Sequence, residues 1–90
     1  MIKKSHFVST LVIQKRKKLQ MSQTVLSARL GWSNKNAQYV SNVERGICQF
    51  PIKSIKMLSI ALQTPVEEVI NAFVEDYRRS IQQEVYHDPS

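Results

Sequence analysis

Ninety residues suffice for one domain with one small hydrophobic core, and 42% hydrophobic residues exclude a disordered polyelectrolyte. The 13 Lys+Arg against 7 Asp+Glu leave a formal charge of +6, which points to a polyanionic partner: a nucleic acid first, a membrane surface second. The single cysteine, Cys48, excludes an internal disulfide and a cysteine chelate site.

The charge is unevenly spread. Residues 1–56 hold eleven basic side chains and one acid, a balance of +10, whereas residues 57–90 hold two basic side chains and six acids, a balance of −4. No apolar run approaches the roughly 20 residues that span a bilayer. The N-terminal MIKKSHFVSTLVIQKRKK faintly mimics a signal peptide. Its apolar part is broken by Ser9 and Thr10, and a basic run follows where small residues should precede cleavage. The expected location is the reducing cytoplasm.

With two glycines, three prolines and repeated steps of three and four, the chain reads as all-α. A first helix runs from about Ser5 or Ser9 to Leu19, with Phe7, Leu11, Val12 and Leu19 as its apolar stripe. Lys15, Lys17 and Lys18 fall off that stripe, while Arg16, four residues beyond Val12, lies close to it. A second helix starts at Ser22, a good N-cap, buries Val25, Leu26 and Leu30, and stops at Gly31. A third helix takes Asn36 as its cap, or Ser33 in a longer version, and ends with Arg45 before Gly46. Val40 and Val43 point inward. After the loop ICQFP, Pro51 fits the first turn of a fourth helix with Ile52, Ile55, Leu58 and Leu62 inward. Thr64-Pro65-Val66-Glu67 opens a long fifth helix. The core is expected at about 6–75, with residues 76–90 a helical extension and His87 to Ser90 a frayed tail.

The third helix is unusual. Its segment NKNAQYVSNVERG (34–46) gathers amides and holds Glu44, the only acid in the first 66 positions. Gln38, Ser41 and Asn42 share one side. Amides donate and accept at once and can pair bidentately with adenine, whereas lysines hold phosphate without reading sequence. The chain therefore sets amides at the centre of a basic surface.

Here the sequence resembles a known family, the lambda-repressor-like (Xre/Cro-type) helix-turn-helix DNA-binding proteins. The matching segments are LVIQKRKKLQMSQ (11–23), LSARLG (26–31), VSNVERG (40–46), the Pro51 to Leu62 helix and TPVEEVI (64–70). The resemblance covers roughly residues 9–75 and implies a five-helix DNA-binding bundle. It implies phosphate or base contact by Gln23, base reading by Gln38 and Asn42, and an apolar base contact by Ala37. Arg45 aligns with phosphate-contacting positions. The loop Ile47-Cys48-Gln49-Phe50 departs from the family's basic or polar pattern, which leaves Lys53 as a substitute contact. The interval from Gly31 to Glu44 is about three residues longer than the common family spacing. The extra Ser33-Asn34-Lys35 either widens the turn or extends the recognition helix, and in both cases Asn34, Lys35 and Asn36 reach DNA. Tyr39 and Ser41 complete the candidate surface, with Tyr39 equally suited to packing.

A carboxylate facing DNA would repel phosphate, so Glu44 should turn inward. Arg16 is the basic residue nearest an apolar stripe, and the resemblance pairs it with this glutamate. A partly buried Arg16–Glu44 bridge is expected.

The fifth helix keeps its apolar spacing through Val69, Phe73, Tyr77 and Ile81, farther than a small core requires. A homodimer through residues 66–85 is expected, since helix-turn-helix proteins commonly bind two half-sites as dimers. No histidine, cysteine or acid cluster has metal-ligand spacing, and no nucleophile–base pair or phosphate-binding glycine loop occurs, so neither cofactor nor catalysis is expected. The expected function is a sequence-specific double-stranded DNA-binding regulator, most simply a repressor. The alternatives are an antitoxin that holds a toxin through its C-terminal helix, and a protein-interaction module that does not bind DNA.

Overall fold

The computed structural model describes residues 7–32 and 36–86. The expected helix start at Ser5, the residues Ser33, Asn34 and Lys35, and the tail from His87 lie outside the described residues. Five α-helices form: α1 (Phe7–Lys18), α2 (Gln23–Arg29), α3 (Ala37–Glu44), α4 (Ile55–Ala61) and α5 (Val66–Tyr86). A single 3₁₀ turn, Ile52–Ser54, leads into α4. No strand occurs among the described residues. No helix among them is long and apolar enough to cross a membrane.

Helix α1 packs on α5 and α3, α2 on α3 and α4, and α4 on α5. Each helix sends residues at steps of three or four into one core. Val8 and Val12, Leu26, Val40 and Val43, Leu58, Leu62 and Val69 are all at most 2% exposed. Burial of this kind, at ~1.5–3 kcal/mol for each large apolar side chain, is the main force holding the bundle.

The four shorter helices end in one way. After each, a residue with positive φ lets its own N–H and the next one bond back to carbonyls of the last turn. Gly31 (φ 82°) and Gly46 (φ 77°) do this after α2 and α3, and Gln20 (φ 55°) and Gln63 (φ 50°) after α1 and α4. The bonds are Gln20 N–H to Lys17 O and Met21 N–H to Arg16 O, with the same pattern at Gly31/Trp32, Gly46/Ile47 and Gln63/Thr64. A Cβ at Gly31 would meet no atom within 4 Å, so glycine is favoured there by φ alone.

Several expected details change. Among the described residues α1 covers Phe7–Lys18, between the two expected starts, and Phe7 itself is half exposed. Val25 lies on the outer side of α2, and its inward place is taken by Ser27, fully buried beside Leu26. Pro51 sits in extended backbone (φ −66°, ψ 149°) ahead of the 3₁₀ turn, and Ile52 is 78% exposed. The 3₁₀ turn rotates it away from the Leu58 and Leu62 side. Thr64 is buried, and its hydroxyl donates to Leu62 O.

The largest change concerns α5. Val69 and Phe73 were expected at a dimer interface. They are 1% and 8% exposed, buried in the chain's own core beneath α1 and α4. Tyr77 and Ile81 remain on the surface.

Candidate nucleic-acid interface

Helix α2, the Gly31 turn and α3 form a helix-turn-helix unit. Ser22 opens it as expected: its Oγ accepts from the Val25 N–H at 3.0 Å. At the far end, Trp32, Tyr39 and Phe50 form an aromatic cluster. Trp32 stacks on Tyr39 with centroids 5.2 Å apart, and Phe50 lies 5.7 and 5.8 Å from the two. This cluster fastens the turn, α3 and the following loop together, so α3 is held at both ends.

The inner side of α3 carries Glu44. Arg16 grips it with a two-pronged fork, Nε to Oε2 at 2.7 Å and Nη2 to Oε1 at 3.0 Å. The remaining guanidinium arm, Nη1, donates to Met21 O at 2.9 Å. The two side chains are only 14% and 7% exposed. The Arg16–Glu44 bridge therefore forms as expected and ties α1 to α3. Gln23 is part of it: its Nε2 donates to Glu44 Oε1 at 3.0 Å. One of its two amide N–H groups is thus spent on the network inside the unit, and Gln23 itself is half-buried at the start of α2.

The outer side carries Gln38, Ser41, Asn42 and Arg45. Gln38 Nε2 donates to Asn42 Oδ1 at 3.0 Å, and Arg45 Nη2 donates to the same oxygen at 2.8 Å. Gln38 and Arg45 are exposed, and Ser41 and Asn42 half-buried. Ala37 is half-buried at the first position of α3. Asn36 is exposed just ahead of it and makes no side-chain capping bond, so the expected cap does not form and its amide faces solvent. Lys53 is exposed on the 3₁₀ turn. Tyr39 leaves the outer row: it packs in the aromatic cluster, and its hydroxyl donates to Gln49 O at 2.6 Å. Burial, and secondarily the nearby Cys48 thiol, raises its pKa, so the hydroxyl keeps the proton it donates.

Three residues escaped the sequence reading. Asp76 of α5 accepts from the Phe7 N–H at 2.7 Å and the Val8 N–H at 3.0 Å, capping α1 from 68 and 69 residues away. It also accepts from Gln49 Nε2 at 3.0 Å. Gln49 Oε1 in turn accepts from the Phe50 N–H, and Phe50 is 2% exposed. The one available signal was negative: no acid lies in the first turn of α1 to complement its positive end.

The electrostatic outcome is a division by element. Among the described residues, every acid except Glu44 lies on α5. Since Glu44 is turned inward, the outer side of α2 and α3 presents amides, hydroxyls and cations with no exposed carboxylate. No group of three or more potential metal-ligating side chains occurs among the described residues. No family model, curated protein or solved structure matches the chain.

Proposed function

We propose that the chain is a sequence-specific double-stranded DNA-binding regulator of the lambda-repressor-like kind. In this reading α3 enters the major groove, the protein acts as a homodimer, and promoter occupancy represses transcription in the cytoplasm. The observation that carries the reading is the sorting of side chains on α3. Its outer row is Gln38, Ser41, Asn42 and Arg45, and the only acid of the first 66 residues is turned away from it.

Each part has a physical role. Gln38 and Asn42 offer paired donors and acceptors to base edges, with adenine the natural match for a carboxamide. Arg45 offers a forked cation to phosphate or to guanine. Asn36, exposed just ahead of the row, binds phosphate, which fixes orientation without reading sequence. In the free protein Asn42 Oδ1 accepts from both Gln38 and Arg45, and in this reading these solvent-accessible bonds are exchanged for base contacts on binding at small net cost.

The test is in vitro selection of bound duplexes followed by gel shift. The expected result is one enriched sequence, bound at least ~1,000-fold more tightly than random duplex, with affinity falling steeply as salt rises. Equal affinity for selected and random duplexes, or no binding, overturns the reading.

A further inference from the structure

The exposed surface of α5 forms a pattern that DNA reading does not use. Val66, Ile70, Val74, Tyr77, Ile81 and Val85 follow one another at steps of four, four, three, four and four. They make one continuous row along the helix. All are exposed except Ile70, which is half-buried. From Tyr77 onward every described residue of α5 except Gln83 is exposed, so this part of the helix has little cover from its own chain.

The row reads the same from either end. Its steps are symmetric about a point between Val74 and Tyr77, and so nearly are its residues: valine at both ends, isoleucine next, then Val74 against Tyr77. Two such helices laid antiparallel place Val66 on the partner's Val85, Ile70 on the partner's Ile81 and Val74 on the partner's Tyr77. A surface that matches itself under a two-fold rotation is the requirement for a closed dimer.

A second feature lies where the tip of the partner helix would arrive. Beside Val66, α4 and the 3₁₀ turn form a groove of about 580 Å³ with Ile52, Ile55 and Ile60 on its walls. Ile52 and Ile60 are 78% and 61% exposed. Lys53 and Lys56 also line this groove, while the tip that would enter it carries Glu84 next to Val85. The apolar surfaces match, and Lys53 and Lys56 supply the positive charge for the Glu84 that this register also brings beside the other copy's Glu67.

We infer that a second copy of this chain covers the row: α5 pairs antiparallel with the partner's α5, and each tip enters the α4–α5 groove of the other copy. This rests on the dimeric part of the proposed function, but not on DNA binding. It also moves the expected interface from Val69 and Phe73 to Val66, Val74, Val85 and α4.

The register is tested by disulfide trapping in a Cys48→Ser background, without DNA. Val66→Cys and Val85→Cys chains are mixed under mild oxidation with oxidised glutathione. Both sites are exposed, so folding is preserved. The expected product is a crosslink between the two kinds of chain and none in either alone, because a disulfide needs Cα atoms within about 7 Å. A crosslink in Val85→Cys alone marks a parallel pair and overturns the register, as does a dimer with no crosslink. Ile60→Glu is expected to weaken dimerisation at least tenfold in sedimentation, and no change removes the groove from the interface. A wild-type chain that sediments as a monomer at high micromolar concentration overturns the pairing altogether, while duplex selection still judges the DNA reading separately.

Discussion

The two sides of α3 use the same kinds of side chain, an arginine and amides, in opposite ways. Inward, Arg16 and Gln23 converge on Glu44, and all three guanidinium nitrogens of Arg16 are bonded to protein. Outward, Gln38, Asn42 and Arg45 bond only weakly enclosed partners, each other, and stay open to solvent. The difference is the carboxylate and its burial. A buried charge must be fully satisfied, so the inner set is fixed and serves stability. An exposed amide row can exchange its bonds for those of a ligand at small cost.

This contrast makes distinct predictions for the two sides. The largest effect belongs to the inner one. Glu44→Ala leaves Arg16 buried without its partner and is expected to cost ~3–5 kcal/mol of unfolding free energy. Urea denaturation measures it. The double change Arg16→Met with Glu44→Leu should recover most of the loss, since apolar replacement of both partners is often neutral. If Glu44→Ala melts like the parent, the inner network contributes no stability.

The outer side should behave in the reverse manner. Asn42→Ala is expected to weaken binding to a selected duplex by ~1–3 kcal/mol, read by gel shift, and to leave the unfolding midpoint nearly unchanged. A shift in stability as large as the shift in affinity would erase the distinction between the two sides.

Two smaller effects probe the frame that holds α3. Asp76→Ala removes the distant cap of α1 and is expected to cost ~1–2 kcal/mol, measured by thermal melting. Gln63→Gly relieves a left-handed side chain after α4, and a gain of up to about 1 kcal/mol is expected.

The fold was legible where local rules decide it. Ser22, Gly31 and Gly46 announced their helix boundaries, because a serine cap and a left-handed glycine are chosen by the backbone alone. Gln20 and Gln63 end helices in the same conformation but carry no such signal. The Arg16–Glu44 bridge was also legible, since a lone acid in a basic, amide-rich segment was expected to turn inward and only Arg16 lay near a buried stripe. The Asp76 cap was not, because it joins residues nearly the length of the chain apart. Val69 and Phe73 read as interface for a different reason. Spacing identifies an apolar face, but not whether that face is covered by the same chain or by another.

The central claim is that α3 reads DNA with one side and anchors itself with the other. The most direct measurement is a gel shift of the Gln38→Ala/Asn42→Ala double variant, at native melting temperature, on the selected duplex and on a scrambled one. The account predicts a loss of ~100-fold on the selected duplex, with the weak affinity for the scrambled duplex unchanged because phosphate contacts remain. An undiminished preference for the selected duplex would contradict it.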